Sequence, residues 1–433
     1  MKFKVIETNY NQNKLWEERE IESSNINEAM NLLLVFSELE RHSIKGFGGA
    51  FTESSAYNYS LLNKENQDSF IKDYFSQAGL NYNLGRIHMN SCDFSLNNYT
   101  YIEENDNELK TFDISHDEKL IIPFIKKAMA ENSLEFLMSP WSPSPFMKNN
   151  NEMNNGGKLL DDYYDLWADY YLKFIEEYQK VGININNLTI QNEPEAKQTW
   201  DSCLYSAEEE LKLARLIKKK LKEKGLNTKI YGWDHNKENL IARAKGLIKD
   251  DTFDGLAVHW YTGDHFENIE ICQDLYPQLD LIFSEGCVEY SRFEKDDAIS
   301  HANMYAHDMI GNFKAGISSF YDWNLLLDEQ GGPNHVGNYC ESLIMLEKNS
   351  YRKNLTYYYV GHLSKYVKEN AKVLASSIYT SDLETISFKN PDGKIVVVVL
   401  NKFEKDQELN IKIESEVINL KIQGQSIVTI CQN

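Results

Sequence analysis

From His42 onward, short apolar runs alternate with amphipathic stretches, a pattern that restricts the chain to a parallel sheet covered by helices. Eight runs read as strands: 44–52, 82–89, 134–141, 185–191, 228–233, 255–261, 279–284 and 316–323. The clearest intervening helix, 160–181, carries Tyr163, Leu166, Trp167, Tyr170, Phe174 and Tyr178 at three-and-four spacing, and Gly182 stands where a C-terminal glycine belongs. Ser206 and Glu209 have capping-box spacing at the next helix, and Lys218, Lys219, Lys220, Lys222 and Lys224 fall near its C-terminus, where the macrodipole favours cations. That lysine run reads as a solvated helix end, not a binding patch. Eight strand-helix units close a (β/α)8 barrel.

A barrel needs roughly 250 residues, and the chain has 433. The surplus lies at both ends. Residues 370–433 hold short strands at 385–389, 395–401, 409–413 and 426–431, with Pro391-Asp392-Gly393 as a turn between two of them. Residues 1–36 contain extended signals at 3–7 and 14–20 but no core of their own. The expected organisation is an α/β barrel over 37–369 fused to an all-β sandwich, built from the tail 370–433 with the N-terminal strands 1–36 added.

Active sites of such barrels form at the C-terminal ends of the strands. Polar and aromatic residues gather there: Glu53 after the first strand, Arg86, His88 and Asp93 at the second, Trp141 at the third, and Asn192 and Glu193 at the fourth. Asp234 and His235 follow at the fifth, His259, Trp260 and Tyr261 at the sixth, Glu285 at the seventh, and Trp323 and Asn324 at the eighth. Rings beside carboxylates and amides suit a sugar, whose C–H faces stack and whose hydroxyls need oriented partners. Two of the carboxylates, Glu193 and Glu285, each end an apolar strand, which invites an acid/base and nucleophile pair. The glycines of Gly46-Phe47-Gly48-Gly49-Ala50 lack the GxGxxG spacing of a phosphate loop, and they read as room for close backbone approach. His88, His235, His259, Asp93 and Asp234 show no HxH or HExxH spacing, so no metal is expected.

A net charge of −21 repels phosphate backbones and anionic surfaces, so nucleic acid is not an expected partner. Six scattered cysteines without CxxC spacing suggest reduced, structural thiols. The N-terminus lacks an apolar run of signal-peptide length and no eighteen consecutive apolar residues occur, so the expectation is a cytoplasmic protein with no integral membrane segment.

The motifs GFGGAFTES, GRIHMNSCDFS, SPWSPSPFMKNN, TIQNEPEA, VHWY, FSEGCVE and DWNLLLDEQGGPNHVGN, in this order, with VVVVLN in the tail, resemble glycoside hydrolase family 30, the glucosylceramidase family. The resemblance runs from about Lys45 to the C-terminus. It implies a barrel with a fused β-sandwich and a retaining double displacement with no cofactor. Glu193 then corresponds to the general acid/base and Glu285 to the nucleophile. Asn192 corresponds to the amide on the sugar 2-hydroxyl, Trp141 and Trp323 to subsite aromatics, and Arg86, His259, Tyr261 and Asn334 to pocket positions. Glu53 stands where the family carries Asp, and His88 replaces a usual proline; Glu53 is still expected to reach distal sugar hydroxyls.

The expected substrate is a small glycoside or oligosaccharide with β-linked glucose or a related sugar, attacked from its end. The alternatives are an endo-β-1,6-glucanase or β-xylosidase of the same family, a metal-dependent hydrolase using His235, His259 and Asp234, and a non-catalytic sugar-binding barrel. Long connections at 90–115, 142–157 and 324–350 should wall a pocket. Glu53, Arg86, Asp93, Trp141 and Trp323 are expected at its blind end, and the polar stretch 149–155 over its entrance.

Overall fold

The computed structural model describes residues 1–433. Eight parallel strands close a barrel: β1 Gly46–Ala50, β2 Leu84–Met89, β3 Glu135–Pro140, β4 Ile185–Thr189, β5 Lys229–Asn236, β6 Gly255–His259, β7 Asp280–Glu285 and β8 Ser319–Asp322. Closure comes from β8 pairing with β7 through Ile282↔Ser319 and with β1 through Ser319↔Gly46. Each strand lies within one of the eight runs expected from the sequence, except that β5 continues to Asn236 and β7 to Glu285. At Gly48 a Cβ would stand 2.2 Å from the Leu84 carbonyl oxygen, so a glycine there lets β1 and β2 approach.

Alternation along the strands sorts the barrel interior into layers, because every second residue points inward. Leu84, Leu137, Tyr231, Ala257, Ile282 and Tyr321 form an apolar plug. Two residues onward, the same period delivers Arg86, Ser139, His259 and Ser284, all buried. The plug closes the floor, and the polar layer above it faces the mouth where the site forms.

The second domain is one nine-stranded sheet in which Lys2–Asn9, Lys14–Glu22 and Asn31–Ser43 join six strands from the C-terminal tail. The third N-terminal strand runs past residue 36 to Ser43, directly before β1. Two tail strands, Lys372–Ile378 and Glu416–Ile422, were absent from the expected set. The strand Ile395–Asn401 is buried on both faces: Ile395, Val397 and Val399 enter the sandwich core, whereas Val396, Val398 and Leu400 join the 90-residue core of the barrel. An unbroken apolar run is what a strand between two cores requires. No helix is long and apolar enough to cross a membrane.

One contact pins the N-terminus to the barrel. The Trp16 indole donates to the Tyr358 carbonyl at 2.8 Å and packs over Gly361 of the helix Leu355–Ser364, where a Cβ would meet the ring at 2.0 Å. Gly361→Ala should therefore destabilise the fold by about 1–3 kcal/mol through overpacking. Denaturant unfolding checks this, with kcat/KM in buffer expected to remain at the parent value; an unchanged midpoint would show that Trp16 has room to move.

Candidate active site

Irregularities at the strand ends aim the functional side chains. β5 carries a bulge between Trp233 and His235 opposite β6, and β7 carries another between Phe283 and Glu285. Bulges of this kind re-aim side chains next to active sites. Glu193, Trp233 and Asp234 all hold positive φ, at 50°, 73° and 50°, and the Glu193 amide donates to the Asp234 carbonyl at 2.9 Å. Left-handed backbone at non-glycine residues costs energy, and it persists where the surroundings enforce it, commonly at functional sites.

Arg86 is the centre of the polar layer. Its guanidinium donates to Glu285 Oε2 at 2.5 Å, Asp234 Oδ2 at 2.9 Å, Asn192 Oδ1 at 3.0 Å and Ser139 Oγ at 3.2 Å. Trp141 and Trp323 stack on each other, ring centres 5.3 Å apart, with the Arg86 cation 5.0 and 5.5 Å from their centres. Tyr261 donates its hydroxyl to Glu285 Oε1 at 2.9 Å. Both oxygens of Glu285 are thus held, which fixes its orientation.

Asp234 braces the opposite side. Its oxygens accept from Arg86, from Thr189 at 2.6 Å, from Ser284 at 2.6 Å and from His259 Nε2 at 3.0 Å. This sets His259 with Nδ1 towards the two glutamates, 3.4 Å from Glu193 Oε1 and 4.0 Å from Glu285 Oε1. Burial disfavours the imidazolium, but Glu285, Asp234 and Glu193 outweigh it and raise the His259 pKa to about 9. Burial would likewise raise Glu193, yet His235 at 3.5 Å and His259 at 3.4 Å take its carboxyl below the usual range. The proton therefore rests on the histidine side of the pair.

The mouth is a cavity of about 230 Å³. Asp93, Trp141, Asn192, Glu193, Tyr261, Glu285 and Trp323 line it, together with Gln198, Trp200, His235, Cys287, Glu289, Arg292, Asn338 and Cys340. Burial, with the charge of Glu285 adding to it, pushes the Asp93 carboxyl well above the usual carboxylate range. Its Oδ2 accepts from Asn338 at 3.1 Å while Oδ1 is buried without a partner, so it offers a contact to a ligand hydroxyl. Arg86, expected to line the blind end, stands instead behind the lining together with His259, and both act through the residues they hold.

Three further expectations need correction. Glu53 does not line the cavity: its oxygens accept from His116 at 2.7 Å and from the Leu96 amide at 2.9 Å, so it ties two loops together. Asn334 is likewise off the cavity, its Oδ1 accepting from the amides of Val336, Gly337 and Asn338. It shapes the turn that presents Asn338. The stretch 149–155 is no cover either, because Asn155 and Met153 bond the backbone of Gln198 and Ser202 and so buttress the segment carrying Trp200. One ligand atom each from Glu193, His235 and His259 also lies within 4.8 Å of the others; separate strand ends supply them, so no spacing in the chain announces the cluster.

Comparison with known proteins agrees with this architecture. Residues 44–367 match the glycosyl hydrolase family 30 TIM-barrel domain and residues 370–430 that family's beta sandwich domain. The chain is 32% identical over 406 residues to the lysosomal acid glucosylceramidase of Mus musculus, covering 88% of this chain and 79% of that protein. The crystal structure of SrfJ from Salmonella typhimurium superposes with a TM-score of 0.95 at 38% identity over the whole of both chains. An endo-β1,6-glucanase superposes at 0.90 with 25% identity, over 99% of this chain and 98% of its own. With the barrel model matched over residues 44–367 and the sandwich model after it over 370–430, the chain belongs to glycosyl hydrolase family 30.

Proposed function

We propose that this glycoside hydrolase retains configuration: Glu285 attacks the anomeric carbon of a β-linked glucose or close relative while Glu193 protonates the leaving oxygen, and Glu193 then activates the water that releases the sugar. The observation that carries this reading is the place of His259, whose Nδ1 stands 3.4 Å from one carboxylate and 4.0 Å from the other. Two carboxyl groups flanking a single nitrogen suit the short separation of double displacement, roughly 5 to 5.5 Å. The electrostatics support the change of role. While Glu285 is ionised, its charge favours a proton on the His259–Glu193 pair, which serves the acid step. Once Glu285 is esterified that charge is gone, the pair binds its proton less tightly, and Glu193 is left free to act as base.

The cavity volume of about 230 Å³ lies below the roughly 300–1,000 Å³ of pockets for larger ligands, which favours one sugar ring and removal of single units from the non-reducing end. The likeness to an endo-β1,6-glucanase favours a second reading, internal cleavage of β-1,6-linked glucan. Incubation of the purified protein with a β-linked tetrasaccharide, followed by NMR, tests both. Monosaccharide should appear first and as the β anomer, and chelator should not lower the rate. Early disaccharide without monosaccharide would favour the endo reading, and a first-formed α anomer would overturn retention.

A further inference from the structure

We propose that Glu193, His235 and His259 form a three-ligand site for a zinc-class divalent ion, which silences the enzyme by occupying the place of the acid's proton. The inhibitory role rests on the reading of Glu193 as the acid/base; the site itself does not. Tetrahedral zinc with bonds of about 2.1 Å needs ligand atoms about 3.4 Å apart. Glu193 Oε1 lies 3.5 Å from His235 Nδ1 and 3.4 Å from His259 Nδ1, so two edges of that tetrahedron are already set. Both imidazole nitrogens are buried, and although each lies close to Glu193 Oε1 neither makes an aligned hydrogen bond to it or to any other group, which leaves two buried polar atoms poorly satisfied.

The surroundings fit as well. Asp234 takes the Nε2–H of the fully buried His259 at 3.0 Å and leaves Nδ1 as the coordinating atom, the carboxylate–histidine arrangement that orients metal ligands. Glu193 and His235 keep 14% and 12% exposure at the cavity wall, which gives an ion a route in and leaves the fourth position open. Two imidazoles and one carboxylate select zinc, copper, nickel or cobalt over magnesium or calcium. Coordination at Nδ1 and Oε1 releases to solvent the proton that the pair shares, so the ion and the reaction compete for the same atoms.

The test uses tag-free full-length protein stripped with chelator, with metal binding read separately from turnover. Equilibrium dialysis against Zn²⁺ should find one ion per chain, and Co²⁺ should give visible ligand-field bands without a thiolate charge-transfer band. Hydrolysis of an aryl β-glucoside should fall with the same midpoint as binding and return on chelation. His235→Phe should weaken Zn²⁺ binding by at least about ten-fold. Absence of a bound ion in the wild type, equal binding by His235→Phe, or thiolate bands pointing to Cys287 and Cys340 would each overturn the site. One bound ion on a protein that hydrolyses no β-glycoside would support the site and overturn the reading of Glu193.

Discussion

Glu285→Gln should lower turnover of every β-glycoside by more than about 10⁴-fold, whereas Glu193→Gln should retain the first step for substrates whose leaving group needs no proton. The two losses differ because the glutamates enter at different points. Without Glu285 no glycosyl-enzyme forms, and activated aryl glycosides are no better than alkyl ones. Without Glu193 an aryl glycoside still glycosylates Glu285, and the stalled intermediate awaits a base. Small anions such as azide should then restore release, giving a glycosyl azide of retained configuration. Stopped-flow measurement of the aryl burst, with and without azide, distinguishes the variants; equal losses without rescue would show the roles misassigned. Glutamine keeps the size and shape of the glutamate: with its oxygen towards Arg86 it still accepts from the guanidinium, and its amide NH2 donates to the Tyr261 hydroxyl in place of accepting from it, which keeps folding apart from chemistry. In the wild type, the alkaline limb of kcat/KM should follow loss of the pair's proton near pH 9, the pKa of the free-enzyme His259, and Glu193→Gln should displace that limb.

Residues fixed by strand period and strand end were legible in the chain. Glu193, Glu285, Trp141 and Trp323 close apolar runs, and a barrel turns that position in sequence into a shared position in space. Loops carry no such rule. Asn334 and Asn338 sit four residues apart in one turn, and only the backbone path decides that the first bonds its own loop while the second meets Asp93. Glu53 departs for a related reason: its place after the first strand predicts a reach to sugar hydroxyls, but His116, distant in sequence, claims it. The protonation of Glu193 is likewise set from outside its own strand: burial would raise its carboxyl, and two histidines from other strands reverse the sign. Asp234 shows most clearly what a linear reading lacks. As an acid near the end of β5 it suggests a metal ligand, but with Arg86, Thr189, Ser284 and His259 around it, it is the brace that aims the histidine.

Arg86→Met should be the most damaging change to the fold among single substitutions in the polar layer. The side chain is 0% exposed and neutralises Asp234 and Glu285, themselves 0% and 8% exposed, so its removal leaves two carboxylates facing each other in a dry site. Loss of one partner from such a cluster costs about 3–5 kcal/mol. The remaining acids answer by taking up protons, and a protonated Glu285 is no nucleophile. Unfolding in denaturant should therefore show a much lower midpoint at pH 7, partly recovered towards pH 5 as the carboxylates neutralise, while kcat/KM falls by at least about 100-fold. Arg86→Lys separates charge from geometry. An ammonium restores the positive charge, and with it much of the stability, but it cannot span Glu285, Asp234, Asn192 and Ser139 or stack beneath the two tryptophans. Its kcat/KM should stay near that of Arg86→Met. If lysine instead restores activity along with stability, the guanidinium serves only as a counter-charge, and the orientation of Glu285 must come from Tyr261 alone.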